Sequence, residues 1–325
     1  MQDSWNYKLS FRGNGSELFK IWITNLLLII CTLGIYYPWA RANMKRYLYS
    51  STYLGDYSFE FHGTGKQMFF GMLKFLLILA LLTVMFIVIY QYLPADSIAA
   101  KSFDLWTYIP YIPILALFIH GARRFSMSRT SYRGIRFGYR GYKKPLIWLM
   151  LKGAFFALCT LGVYYSWLIN NIRKYIYGNS RFGNVEAEFS GNGLNYFAKA
   201  VGGFFLTLLT LGVYYFWYKK NMFNFFYENL SFKKDGKTLC IKSNATAAKF
   251  FELIVINWMI IMFTLGLGYP LAKLRSMKFI TENLELCGDM DLDDVIQTEE
   301  AYTDATGDAG TDIDSAGDFF DVDIF

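Results

Sequence analysis

Histidine, cysteine and proline are scarce in this chain of 325 residues, at two, four and six copies. Two histidines, His62 and His120, and four cysteines without paired-ligand spacing leave nothing from which to assemble a metal site. Neither histidine has a serine or cysteine partner in a recognisable arrangement, so no catalytic residue, cofactor or metal is expected, and the chain is read as not an enzyme. Cys31 and Cys159 fall at equivalent places in a repeat whose other copies have Leu209 and Phe263, so both read as apolar filler. Cys240 and Cys287 lie in short alternating segments far apart in sequence. Lysine and arginine are missing altogether from residues 289–325, which hold 13 of the 26 acidic residues. With its many glycines, alanines and threonines, that stretch reads as an acidic, disordered C-terminal tail, a candidate for docking on a protein partner. The first 16 residues are polar and have no short apolar core with a small-residue cleavage site, so no removable signal peptide is expected.

What is abundant is apolar. Hydrophobic residues make up 54% of the chain and aromatics 20%, which points away from soluble domains and towards a membrane. Six windows approach or exceed the roughly 18 apolar residues that cross a bilayer: 18–39, 67–93, 103–120, 145–169, 194–218 and 247–271. The 13 acidic residues before position 289 share residues 1–288 with all 32 basic ones, a balance of +19. That excess suits the cytoplasmic face of an anionic bilayer and gives no reason to expect nucleic acid.

The chain repeats itself. CTLGIYYPWARANMKRYLYSS, CTLGVYYSWLINNIRKYIYGN, LTLGVYYFWYKKNMFNFFYEN and FTLGLGYPLAKLRSMKFITEN, starting at Cys31, Cys159, Leu209 and Phe263, align without a gap. Between them recurs a second motif, alternating residues closed by Gly or Asn, over 7–13, 57–63, 135–141, 185–191 and 238–244, with a shorter relative at 284–288. Period two with such a stop predicts strands, six of them with five helical insertions between. Short strands scattered to opposite sides of a membrane could not pair. Each insertion is therefore expected to double back, with corners near 31–39, 159–167, 209–217 and 263–271, where Gly34, Gly162, Gly212 and Gly266 permit a break. The second insertion reads as an explicit transmembrane hairpin over 67–120 with a short acidic loop at 94–97. The expected fold is a mainly α-helical, multi-pass membrane protein with internal repeats, its helical hairpins inserted between short strands that form a small cytoplasmic sheet. Residues 1–288 would form the membrane domain and 289–325 the tail.

Counted from the Thr of each Thr-Leu-Gly, the fifth position is always Tyr (Tyr37, Tyr165, Tyr215, Tyr269) and the seventh is Trp39, Trp167, Trp217 or Leu271. Tyr and Trp suit headgroup level, so these are candidate interfacial anchors. The eleventh position is Asn43, Asn171, Asn221 or Arg275, with Arg41, Lys45, Arg46, Arg173 and Lys174 close by. Asparagine is a poor mid-helix residue and asks for a partner. Two readings compete: asparagine bonded between packed helices beside a basic face that snorkels to lipid phosphates, or a polar pathway for an anionic solute or headgroup. Seven positions before the Thr, Asn25 and Asn257 alternate with Gly153 and Gly203, which reads as close helix packing. The Gly-x-Gly turns at 13–15, 63–65 and 191–193 precede helices but lack the spacing of a nucleotide-binding loop, and read as strand-to-helix turns.

The passages Thr32-Leu-Gly-Ile-Tyr-Tyr-Pro-Trp-Ala, Phe59-Glu-Phe-His-Gly-Thr-Gly and Thr160-Leu-Gly-Val-Tyr-Tyr-Ser-Trp resemble the YjgN family of bacterial inner-membrane proteins, a domain of unknown function. The resemblance covers most of residues 7–286 and implies a multi-pass protein of the bacterial inner membrane in contact with its lipids. It brings no catalytic or ligand-binding residues. Two function classes follow: a transporter-like or lipid-handling protein using the polar basic faces between repeats, and a non-catalytic membrane scaffold that docks partners.

Overall fold

The computed structural model describes residues 5–92, 107 and 109–298. The predicted acidic loop at 94–97 and the tail beyond 298 lie outside these residues. Strand β1 (Trp5–Phe11) leads into helices α1 (Gly15–Cys31) and α2 (Tyr37–Ser50). Strands β2 (Thr52–Leu54) and β3 (Tyr57–Phe61) lead into α3 (Gly65–Gln91) and α4 (Tyr111–Ser128). The pattern recurs as β4 (Thr130–Tyr132), β5 (Ile135–Tyr139), α5 (Lys143–Cys159) and α6 (Tyr165–Gly178). It recurs again as β6 (Ser180–Phe182), β7 (Val185–Phe189), α7 (Gly193–Leu209) and α8 (Tyr215–Glu228). The last round is β8 (Leu230–Lys234), β9 (Lys237–Ser243), α9 (Ala247–Phe263) and α10 (Tyr269–Glu282), closed by β10 (Leu284–Gly288).

The ten strands form a closed antiparallel barrel in sequence order, with β10 joining β1 at Trp5↔Gly288 through Lys8↔Glu285. This overturns the expected fold class. The strands make no small sheet beside a mainly helical multi-pass body, and among the described residues only α3 is long and apolar enough to cross a membrane. The error came from β2, β4, β6 and β8. Three of them are only three residues long, too short to show alternation, and each is separated from the helix before it by a single residue. Their partners are reached through two-residue turns. Arg133-Gly134 and Asp235-Gly236 have positive φ at both positions, the hairpin geometry that follows strand twist. Closure removes every sheet edge, so each short strand pairs on both sides.

Alternation sorts the barrel wall. Leu239, Ile241, Leu284, Leu286, Val185 and Phe189 are buried in one core with Phe59, Phe137, Phe182 and Phe232 packed against it, so the lumen is filled by side chains. On the outer face, cross-strand charges pair as Lys8–Glu285, Arg181–Glu186 and Lys233–Glu188. Exposed pairs of this kind contribute about 1 kcal/mol or less each.

Because odd strands run into helices and even strands return from them, the five helix pairs among the described residues all leave from one end of the barrel. The other end holds the strand turns, and residues 289–298 lie across it. Met290, Leu292 and Val295 are 1%, 8% and 7% exposed and belong to the lumen core. The Tyr7 hydroxyl donates to Asp291 Oδ1 (3.1 Å) and accepts from the Leu292 amide (3.0 Å), and Arg133 pairs with Asp293. Folded structure thus runs at least ten residues past the boundary drawn at 288.

Four of the five strand-to-helix turns among the described residues end in a side-chain N-cap, and the one at Tyr142 has none. The side chains of Asn14, Asn192 and Thr246 accept from Ser16, Leu194 and Lys249 amides, and Thr64 with Gln67 forms a full capping box. The first glycine of each turn lies over an aromatic ring of the strand before it. A Cβ on Gly63 or Gly191 would come within 2.4 or 2.5 Å of Phe61 or Phe189.

Candidate functional site: hairpin corners and basic arms

Each Thr-Leu-Gly passage folds as one rigid corner. Thr32, Thr160, Thr210 and Thr264 donate to the carbonyl four residues back and accept from the amide four residues ahead, at 2.6–3.0 Å. The Gly34, Gly162, Gly212 and Gly266 amides reach back five residues to Ile29, Ala157, Thr207 and Ile261 carbonyls at 2.7–2.8 Å, which terminates the outgoing helix. The leucine between is held at φ +49 to +51°. Leu33, Leu161, Leu211 and Leu265 are 93–95% exposed, with Ile35, Val163, Val213 and Leu267 exposed beside them. Four tips therefore present aliphatic side chains at their most projecting points, on backbone that an L-residue adopts at a cost of about 1–2 kcal/mol. Helix α3, of 27 residues, is mostly apolar beyond Lys74, and its most apolar window has no buried residue.

The asparagines hold the arms of single hairpins together. Asn43 Nδ2 donates to Asn25 Oδ1 (3.4 Å), and Asn25 Nδ2 donates to the Ala40 carbonyl (3.3 Å). In the last unit Asn257 Nδ2 donates to the Ala272 carbonyl (3.3 Å) and Ser276 Oγ (3.1 Å). In the two units with Gly153 and Gly203 the outgoing arm has no asparagine to meet Asn171 or Asn221, and Leu168 and Tyr218 fill the space instead: a Cβ on either glycine would lie 2.1–2.2 Å from them. Large and small residues have exchanged arms, Asn25 with Ala40 and Asn257 with Ala272 against Gly153 with Leu168 and Gly203 with Tyr218. Asn171 and Asn221 are half-buried.

The basic residues do not converge on one pathway. Arg41 donates to the Tyr37 hydroxyl (3.4 Å), and Arg46 to the Gly63 carbonyl (3.3 Å) at the next unit's turn. Lys45 lies over the Phe61 ring at 5.6 Å. Arg173, only 6% exposed, sits over Phe226 at 5.1 Å and Tyr196 at 5.4 Å. Arg275 pairs with Glu252 on α9 (3.6 Å), and Lys174 is exposed. Lys45, Arg46, Arg173 and Arg275 thus tie a return helix to the next unit or to its own outgoing arm, while the Arg41 bond stays within its helix.

The aromatic positions have packing partners of their own. Trp39 and Trp167 stack on Tyr36 and Tyr164 and lie over the second glycine of the following turn, where a Cβ on Gly65 or Gly193 would meet them at 2.5 or 2.4 Å. In the last unit Leu271 faces Gly15 across the barrel closure, where a Cβ on Gly15 would lie 3.0 Å from it, so the same contact links the last unit to the first. Trp217 is half exposed and stacks on Tyr214. Tyr37, Tyr165, Tyr215 and Tyr269 open the return helices, with Tyr165 and Tyr269 exposed.

Counting from Thr-Leu-Gly misses the fifth unit, α3 and α4, which lacks that passage. Counting back from the strand after each return helix finds it. By that count Arg123 matches Lys45 and Arg173, and lies over Tyr177 at 4.7 Å. His120 matches Asn170 and is bonded to the Gly141 carbonyl at 2.9 Å. Asn170 is 1% exposed, and its amide has no hydrogen-bond partner among the described residues.

A family model described as "Bacterial protein of unknown function (DUF898)" matches residues 6–189 and 235–313. The chain belongs to this family. Among curated relatives, the inner membrane protein YjgN of Escherichia coli O157:H7 is 29% identical over 147 residues, covering 44% of this chain and 34% of the relative. YjgN of Salmonella typhimurium is 29% identical over 150 residues (46% and 35%), and that of Escherichia coli K12 is 27% identical over 146 (44% and 34%). The chain spans about a third of the length of the curated relatives it matches. No solved structure matches. The YjgN resemblance read from the Thr-Leu-Gly and Gly-x-Gly passages is borne out. In this DUF898 protein those passages are the corners and caps of a five-unit barrel, one cap carrying no glycine.

Proposed function

We propose that the chain is a non-catalytic platform of the bacterial inner membrane. Its five hairpins enter the bilayer from the cytoplasmic face, and the barrel stays at that surface as a docking body. The observation that supports this most is the set of four fully exposed leucines at the hairpin corners, all at the barrel end from which the helices leave. A 17-residue arm such as α1 reaches about 25 Å. Measured against a hydrocarbon core about 30 Å thick, that depth makes these four hairpins re-entrant. Helix α3, about 40 Å long by the same rise per residue, is long enough to cross. Exposed Lys174 and Lys278, with Arg46, each ten residues into a return helix, then lie nearer the headgroups than the corners do.

A platform is favoured over a conduit because Asn25, Asn43, Asn257, Arg46, Arg173 and Arg275 are engaged within and between units, and the barrel lumen is packed. The test replaces Asn43, Asn171 and Asn221 together by Leu. A platform keeps its membrane fraction and the partners recovered by cross-linking in cells. Loss of solute flux or of co-purified anionic lipid, with fold retained, would instead support the transport or lipid-handling reading.

A further inference from the structure

Cys240 and Cys287, 47 positions apart in sequence, face each other across β9 and β10 in direct register. Both are free thiols on the outer face of the barrel, Cys240 exposed and Cys287 half-buried. Their inward neighbours Leu239, Ile241 and Leu286 belong to the core. The ladder fixes the kind of pairing. The Asn244 amide donates to the Asn283 carbonyl (2.9 Å), and the Asp289 amide to the Thr238 carbonyl (3.2 Å). Counting inward by twos from either bond makes Cys240 and Cys287 a hydrogen-bonded pair. Such pairs hold their Cα atoms about 5.5 Å apart with side chains on one face, inside the window of about 4.4–6.8 Å that a disulfide spans; their Cβ atoms, at about 5 Å or more, must close by about 1 Å as the bond forms. A row of polar groups continues on both sides: Ser231 is opposite Cys240, and Asn6 opposite Cys287. The Cys287 thiol donates to Asn6 Oδ1 at 3.6 Å, which holds that sulfur on the outer surface.

The geometry points to a dithiol modification site on the barrel wall, oxidised by low-molecular-weight disulfides through thiol–disulfide exchange to a cross-strand Cys240–Cys287 bond. The Cys240 thiolate attacks one sulfur of the small disulfide, expelling the first small thiolate and leaving a mixed disulfide. The Cys287 thiolate then attacks the Cys240 sulfur and expels the second. The two protein protons end on the two released thiols. The protein is oxidised by two electrons and the small disulfide is reduced by two. The bond would join β10, the strand that closes the barrel, to β9 and leave the lumen untouched.

The experiment uses the full chain in detergent or nanodiscs with Cys31→Ser and Cys159→Ser, so that only this pair is titrated. Oxidised glutathione is the oxidant, followed by alkylation, digestion and mass spectrometry. The expected result is joint loss of both alkylatable thiols, a linked Cys240–Cys287 peptide, monomer on a non-reducing gel and full reversal by dithiothreitol. A further Cys287→Ser change should trap glutathione on Cys240. In denaturant, with β9 and β10 unpaired, separate adducts should replace the linked peptide. Two independent glutathione adducts on the folded protein, two thiols that stay alkylatable, or a link between chains would each overturn the assignment.

Discussion

Replacing Leu33, Leu161, Leu211 and Leu265 together by Asn changes two energies. All four leucines sit at φ +49 to +51°. Asparagine tolerates that backbone, so in detergent-free water each change relieves about 1 kcal/mol of strain. The side chains are 93–95% exposed on the protein itself. Moving a leucine from water into hydrocarbon gains about 1.5–3 kcal/mol. If the tips lie in the bilayer, the fourfold variant forfeits that gain four times and adds the desolvation of four amides. The relieved strain is common to the free and bound states and cancels, so the loss is at least about 6 kcal/mol, or more than about ten-thousandfold in partitioning at about 1.4 kcal/mol per factor of ten. The assay is flotation with vesicles after detergent removal. It is paired with nitroxide quenching of a fluorophore placed singly at each of the four positions in a chain otherwise free of cysteine. The expected outcome is strong quenching from deep acyl-chain positions and a marked fall in flotation for the variant. Unchanged flotation together with equal access of an aqueous quencher at all four tips, with or without vesicles, would refute the reasoning.

Further outcomes follow from packing. Gly65→Ala places a methyl in the Trp39 ring, and Gly193→Ala does the same at Trp167; each should lower stability by about 1–3 kcal/mol in a detergent melt. Gly203→Asn alone should destabilise by overpacking against Tyr218, whereas Gly203→Asn with Tyr218→Ala, copying Asn25 with Ala40, should recover most of the loss; additive effects in the double variant would argue against the exchange of arms. Tyr7 is pushed from 10.0 up to about 12, first by burial, with the Leu292 amide pulling the other way and Asp291 pushing further up. A phenol whose folded value is raised contributes stability fully below its unfolded value and loses it as pH climbs between the two. Segment 289–298 should therefore loosen between pH 10 and about 12 in hydrogen exchange corrected for intrinsic rate, and Tyr7→Phe should remove that step.

Much of the local structure was readable from residue types. The repeat, six of the strands, the strand-to-helix caps and the corner glycines each depend on neighbours within a few positions, where alternation, capping chemistry and positive φ leave a direct trace. The alternation of Asn25 and Asn257 with Gly153 and Gly203 was legible as helix packing, but its reason was not, because the compensating residues Ala40, Leu168, Tyr218 and Ala272 lie fifteen positions on and matter only once the arms are side by side.

Tertiary structure alone decided that the sheet closes. Barrel closure is a property of all ten strands together, and strands as short as Ser180–Phe182 gain both neighbours only when the last strand meets the first. Closure also aligned Cys240 with Cys287, set Leu271 over Gly15, and drew Met290, Leu292 and Val295 into a lumen that local pattern gives no hint of. The sequence by itself determined which pieces are extended, which are helical and where each turns, since those preferences are paid residue by residue. How the pieces share a core depended on contacts between residues far apart in the chain, whose loop-closure cost no local pattern records.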